Sequence, residues 1–137
     1  MDYKAISPEA IGYLYKAHQQ FRKNIGEERL LVLAELRVSQ LNGCAFCCGY
    51  HAAEMRQLGV SQELLDELPG WKLSGRFTAK EKLVLQWAEE VTAIGTASPA
   101  TLQQLEQYFS QQEVVDITAG IALMNALNRI RITLGDH

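Results

Sequence analysis

Asn42-Gly43-Cys44-Ala45-Phe46-Cys47-Cys48-Gly49-Tyr50-His51 holds all three cysteines of the chain and one of its three histidines. On a helix, at about 100° per residue, Cys44, Cys47, Cys48 and His51 fall on one side, while Ala45 and Phe46 point elsewhere. Gly43 permits a break in the backbone, so the cysteines are expected in the first turns of a new helix. There the unpaired N–H groups and the positive end of the helix dipole favour a thiolate, the reactive form of cysteine. His51 stands four residues after Cys47, one turn on, in reach of a thiol proton. Two thiols three residues apart form a dithiol/disulfide couple: one is oxidised to a sulfenic acid, and the other closes the disulfide.

Two other uses of these residues compete. Cys44, with Cys47 or Cys48, and His51 supply three ligands for a metal. A structural zinc site takes four, in pairs from separate segments. Only His18 and His137 remain as histidines, and there is no second cysteine pair. Alternatively the cysteines are small buried hydrophobes. That reading suits Cys48 better than the Cys44, Cys47 and His51 set.

The elements that must position this stretch all read as helices. Ser7-Pro8-Glu9 is a helix start, with a serine cap and proline in the first turn. This helix is expected to reach Lys23, with Ile11, Leu14, Tyr15, His18 and Phe21 on one side. His18 reads as a packing or surface residue. A second helix runs from Glu27-Glu28 to Asn42. Its middle, Leu30 to Leu36, is apolar nearly all round and therefore buried on most sides. Glu35 inside that run needs a partner or a proton. The candidates are an arginine, either Arg37 of another subunit or Arg129, or the cysteine helix itself. The cysteine helix is expected to end near Leu58, before Gly59.

Ser61 to Leu68 is a short helix, and Trp71 to Phe77 a loop with aromatic anchors. Thr78 with Glu81 and Ser110 with Glu113 are capping boxes, and Ser98-Pro99 opens a helix between them. The fold class is therefore all-α, about six or seven helices in one domain over residues 1–137.

The bulk properties agree. Apolar residues make up 47% and charged residues 21%, ordinary for a globular chain, and the net charge of −3 argues against a nucleic-acid surface. No apolar run is long enough for a membrane span, and the N-terminus lacks a secretory layout, so a cytoplasmic location is expected. Cysteines clustered within five positions do not form a secreted disulfide framework.

The run Leu36-Arg37-Val38-Ser39-Gln40-Leu41-Asn42-Gly43-Cys44-Ala45-Phe46-Cys47, with His51, resembles the core motif of the carboxymuconolactone decarboxylase superfamily, on its AhpD-like, alkylhydroperoxidase side. Phe77-Thr78, Glu81-Lys82, Trp87-Ala88-Glu89 and Thr92 resemble that family's middle helix. Glu113, Asn125, Asn128 and Arg129 resemble its closing helix. The resemblance implies an all-helical domain assembled as a homo-oligomer, a trimer or hexamer. It implies a hydroperoxide as substrate and a protein dithiol or small thiol as reductant, with no metal or organic cofactor. It assigns Cys47 as the attacking thiolate, Cys44 as the resolving cysteine and His51 as the proton carrier.

One departure matters. Where the family carries a glutamate twelve residues before the first motif cysteine, this chain has Val32. Glu35, one turn further along, is the expected replacement, with Glu89 the second candidate. The leading function is thus a thiol-dependent peroxidase or disulfide reductase. Lactone decarboxylation does not need a cysteine pair, so the CxxC counts against it. A redox sensor or oligomeric scaffold without turnover is the reading that Val32 favours.

Overall fold

In a computed structural model, which describes residues 1–135, the chain is all-helical. The elements are α1 (Tyr3–Ile6), α2 (Pro8–Ile25), α3 (Glu28–Asn42), α4 (Ala45–Gln57) and α5 (Gln62–Glu67), followed by a 3₁₀ turn (Leu68–Gly70). They continue with α6 (Ala79–Thr92), α7 (Pro99–Tyr108) and α8 (Gln111–Leu134). Most start signals read from the sequence operate as expected; at α2, Pro8 opens the helix but the Ser7 side chain makes no capping hydrogen bond. Ser61, Ser98, Thr78 and Ser110 each accept a backbone N–H from the first turn, and the last two form complete capping boxes with Glu81 and Glu113. Only α1 was not anticipated; Asp2 caps it by accepting from the Ala5 N–H. No helix among the described residues is long and apolar enough to cross a membrane.

Helix α3 is the axis of the molecule and packs against α4, α6 and α8. Its apolar residues divide between two cores. Leu31, Ala34 and Val38 join Val84, Ala88, Ile117 and Ile121 in one cluster, while Val32, Leu33 and Leu36 join Met55, Leu68, Trp71 and Phe77 in another. Serving two cores explains why the helix is apolar nearly all round. Leu30 to Leu36 are all buried within this one chain.

Helix α8 comes close to α3 at Gly120, where an added Cβ would lie 3.1 Å from the Leu31 side chain. Further along the same pair, polar side chains fix the end of α3. Asn42 Nδ2 donates to Asn125 and Asn128 Oδ1, each at 3.0 Å, and Asn128 Nδ2 donates to Ser39 Oγ. This ties down the residue before the turn that leads into the cysteines.

Candidate functional site

Gly43 ends α3 in a left-handed conformation (φ 68°), which an L-residue adopts only with strain. The chain reverses there, and Cys44 becomes the N-cap of α4, its sulfur accepting the Cys47 N–H at 3.4 Å. Cys44 and Cys47 are joined by a disulfide, with Cα atoms 5.3 Å apart. Both sulfurs therefore lie at a helix N-terminus, the place that favours a thiolate when the bond is opened. The two are not equivalent. Cys44 is 1% exposed and walled in, whereas Cys47, 8% exposed, borders an open cleft of about 910 Å³. Cys48 faces away, packed against the second core, and burial pushes its thiol pKa up.

His51 also lines the cleft. Its Nδ1 lies 2.8 Å from Glu54 Oε2 and 3.4 Å from Arg22 Nη2. A guanidinium can only donate, and an ionised carboxylate can only accept. Nδ1 cannot serve both, and the short charge-assisted contact to Glu54 decides: Nδ1 carries the hydrogen. In the neutral ring this leaves Nε2 as the proton acceptor. Burial opposes the Glu54 charge, but Arg22 and then His51 hold its carboxyl down at about 2, so it is ionised in this role.

Behind His51 is a buried charge cluster. Glu35, 0% exposed, lies 3.8 Å from His51 Nδ1. Its Oε1 accepts from His18 Nε2 at 2.8 Å, and its Oε2 accepts from Arg22 Nε at 3.1 Å and from Arg22 Nη2. Burial works against this carboxylate, yet His18 and then Arg22 keep its pKa below the usual range. Arg22 also donates to both Glu54 oxygens, at 2.8 and 2.9 Å. Against the effect of burial, its bonds to Glu54 and Glu35 raise the guanidinium pKa still further. Nδ1 of His51 and carboxylate oxygens of Glu35 and Glu54 converge within 4.8 Å, a donor set of the kind that holds a metal. Arg22 reaches all three residues and supplies the positive charge itself.

The expected site residues Cys44, Cys47, His51 and Glu35 are thus brought together, with Glu35 facing the cysteine helix. The suggested arginine partners for it are corrected. Arg37 binds Glu89 in its own chain, Arg129 donates to Asn125, and Arg22 takes the role. Glu89 is also corrected as a relay acid. It accepts from Trp71 and Arg37, pairs with Lys72, and does not line the cleft. His18 bonds Glu35 rather than merely packing, and His137 lies outside the described residues. Val32 lies in the second core, so valine there does not leave His51 without acids.

Sequence reasoning missed Arg22 and Glu54. Glu54 had a signal, since it stands three residues after His51 on the same helix. Arg22 stands four residues after His18, but only tertiary packing takes it to α4.

The chain matches the carboxymuconolactone decarboxylase family over residues 14–90 and belongs to it, on the AhpD-like branch. It is similar to the uncharacterised protein YdfG of Bacillus subtilis, 27% identical over all of this chain and 95% of that protein. The uncharacterised YnjA of Escherichia coli is 28% identical over 68% of this chain and 52% of its own length. Among solved structures, a protein of unknown function from Agrobacterium tumefaciens, provisionally described as the antioxidant defence protein AhpD, superposes with a TM-score of 0.90. It is 31% identical and covers all of this chain and 97% of its own. An uncharacterised peroxidase-related protein from Silicibacter shares the fold, with a TM-score of 0.72 and 21% identity over 85% of this chain and 65% of that one.

Proposed function

We propose that the protein is a cysteine-based hydroperoxide reductase of the AhpD type. The observation that carries this reading is the asymmetry of the Cys44–Cys47 pair: Cys47 opens onto a cleft beside a buried, carboxylate-oriented histidine, and Cys44 is enclosed behind it. In the dithiol form, His51 Nε2 takes the Cys47 proton. The imidazolium so formed is countered by Glu54 and Glu35. The thiolate attacks the terminal oxygen of the hydroperoxide and the O–O bond breaks. Cys47 becomes a sulfenic acid, and the leaving alkoxide takes the proton from His51 and departs as an alcohol. The Cys44 thiol then displaces hydroxide from the Cys47 sulfur, which leaves as water once protonated, and the disulfide forms. A dithiol or two small thiols return the pair to the reduced state by exchange at the Cys47 sulfur, the one that borders the cleft. No step requires a metal or an organic cofactor.

The test starts from protein whose disulfide has been reduced and the reductant removed: thiols are counted after denaturation, before and after one equivalent of an organic hydroperoxide. The expected result is the loss of two thiols per chain, restored by a dithiol, with Cys48 unchanged. No loss would overturn the peroxidase reading and favour decarboxylation or a scaffold role.

A further inference from the structure

The cleft carries a second pattern, unused by the chemistry above. Five cations border the cleft: Lys4, Lys16, Arg22, Lys23 and Arg131. The acids there are Glu28 and Glu54. Both acids are paired to Arg22, at 3.7 and 2.8 Å. Lys4, Lys16, Lys23 and Arg131 have no carboxylate within ion-pair distance among the described residues. Four cations without such a partner among the described residues, around one cleft, are a local reversal of sign in a chain of net charge −3. Such a cleft concentrates anions.

Arg131, from the last turns of α8, is the best placed of the four. Its guanidinium carbon lies 3.9 Å from the centre of the Phe46 ring and 5.7 Å from that of Tyr3. Phe46 stacks in turn on Tyr50, with ring centres 6.2 Å apart. The planar head is therefore held between aromatic faces beside the residue that precedes Cys47. A stacked arginine keeps its edge free, and that edge matches a carboxylate with two parallel hydrogen bonds. The same rings offer an apolar wall to the body of a ligand. Lys4 stands over Tyr15 at 4.7 Å, also lines the cleft, and adds a second positive charge.

We infer that the cleft selects organic hydroperoxides that carry a carboxylate. The carboxylate is held by Arg131, with Lys4 near it, the apolar body lies along Phe46, Tyr50 and Tyr3, and the hydroperoxide is directed to Cys47. This inference rests on the peroxidase reading for the reaction, but the anion site can be read by binding alone. Charge could equally attract an acidic protein. A concave cleft of this volume, with the arginine sandwiched between its rings, fits a small molecule better than a protein surface.

The experiment has two readouts. Binding of the para-carboxylate of cumyl alcohol, and of its methyl ester, is measured by calorimetry on the oxidised protein. Turnover is measured on the reduced protein with the para-carboxylate of cumene hydroperoxide and its methyl ester. The acid is expected to bind at least about tenfold more tightly than the ester, and to show a kcat/KM higher by a similar factor. Both preferences should fall with added salt and collapse in Arg131→Gln. Arg131→Lys, which keeps the charge but loses the fork, should retain a reduced preference.

Equal treatment of acid and ester by the wild type, or a preference that survives Arg131→Gln, would overturn the inference. So would a protein with no acid preference in which Arg131→Gln slows reduction by a dithiol protein only, the result expected of a docking surface. Selective binding of the acid with no turnover of either hydroperoxide would uphold the anion site while overturning the peroxidase reading.

Discussion

Arg22→Met removes the cation that bonds Glu35 and Glu54 and lies 3.7 Å from Glu28, and keeps most of the side-chain length. In the wild type the guanidinium is bonded to Glu35 through Nε and Nη2, and to both oxygens of Glu54. Glu35 has no exposed surface and therefore no water to take over. His18 remains as its partner, but the charge that balanced it is gone. Breaking a buried pair from one side costs about 3–5 kcal/mol, a large part of the roughly 5–15 kcal/mol that holds a domain folded. With a urea m-value of about 2 kcal/mol/M, the unfolding midpoint should drop by about 2 M.

The cause is separable from lost packing by a double-mutant cycle. Glu35→Gln alone should cost less, because Arg22 keeps Glu54. Arg22→Met with Glu35→Gln should be more stable than the sum of the single losses by about 2 kcal/mol. The deficit of Arg22→Met should also shrink in acid, as Glu35 takes up a proton. A single variant within about 1 kcal/mol of wild type, or strict additivity in the cycle, would refute the claim that Arg22 neutralises a buried charge.

Other outcomes follow from the same geometry. Cys47→Ser should abolish peroxide consumption, while Cys44→Ser should consume one equivalent and accumulate a sulfenic acid that a dimedone probe labels; turnover by Cys47→Ser would reverse the roles. His51→Gln should slow alkylation of reduced Cys47 near neutral pH by about a hundredfold, read with iodoacetamide. Stability should decline in acid. Glu54 has a folded pKa depressed from 4.5 to about 2, so its contribution is present above the unfolded value and is lost as the pH falls from about 4.5 towards 2. Chemical unfolding at several pH values checks this, and a flat profile there would count against the Glu54 contacts. Gly12→Ala, where a Cβ meets nothing, should stabilise α2 by about 0.5–1 kcal/mol. Gly120→Ala, pressed against fully buried Leu31, should destabilise by about 1 kcal/mol despite its better helix propensity.

Much of this architecture was legible because its signals are local. Ser110 with Glu113, Thr78 with Glu81, and Ser98-Pro99 each fix a helix start through hydrogen bonds within one turn, so four consecutive residues suffice to read them. The cysteine turn was legible for the same reason: Gly43 permits the reversal, and Cys44, Cys47 and His51 follow at one-turn spacings. What was not legible depends on contacts distant in the chain. Glu35 was recognised as needing a partner, but no periodicity says that Arg22, thirteen residues earlier, crosses to it. The apolar surround of α3 was read correctly as burial, but sequence does not reveal that this one helix serves two cores. Asn42, Asn125 and Asn128 stood out separately, and only the packing of α3 on α8 makes them one hydrogen-bonded group.

The provenance of the charge cluster has a further consequence. His18 and Arg22 come from α2, Glu35 from α3, and Cys44, Cys47, His51 and Glu54 from the turn and helix that follow, all within one polypeptide. Every group proposed above for proton transfer or disulfide formation thus comes from a single copy. On the peroxidase reading proposed above, copies with intact and disabled cysteines mixed in one assembly should therefore show activity in linear proportion to the intact fraction.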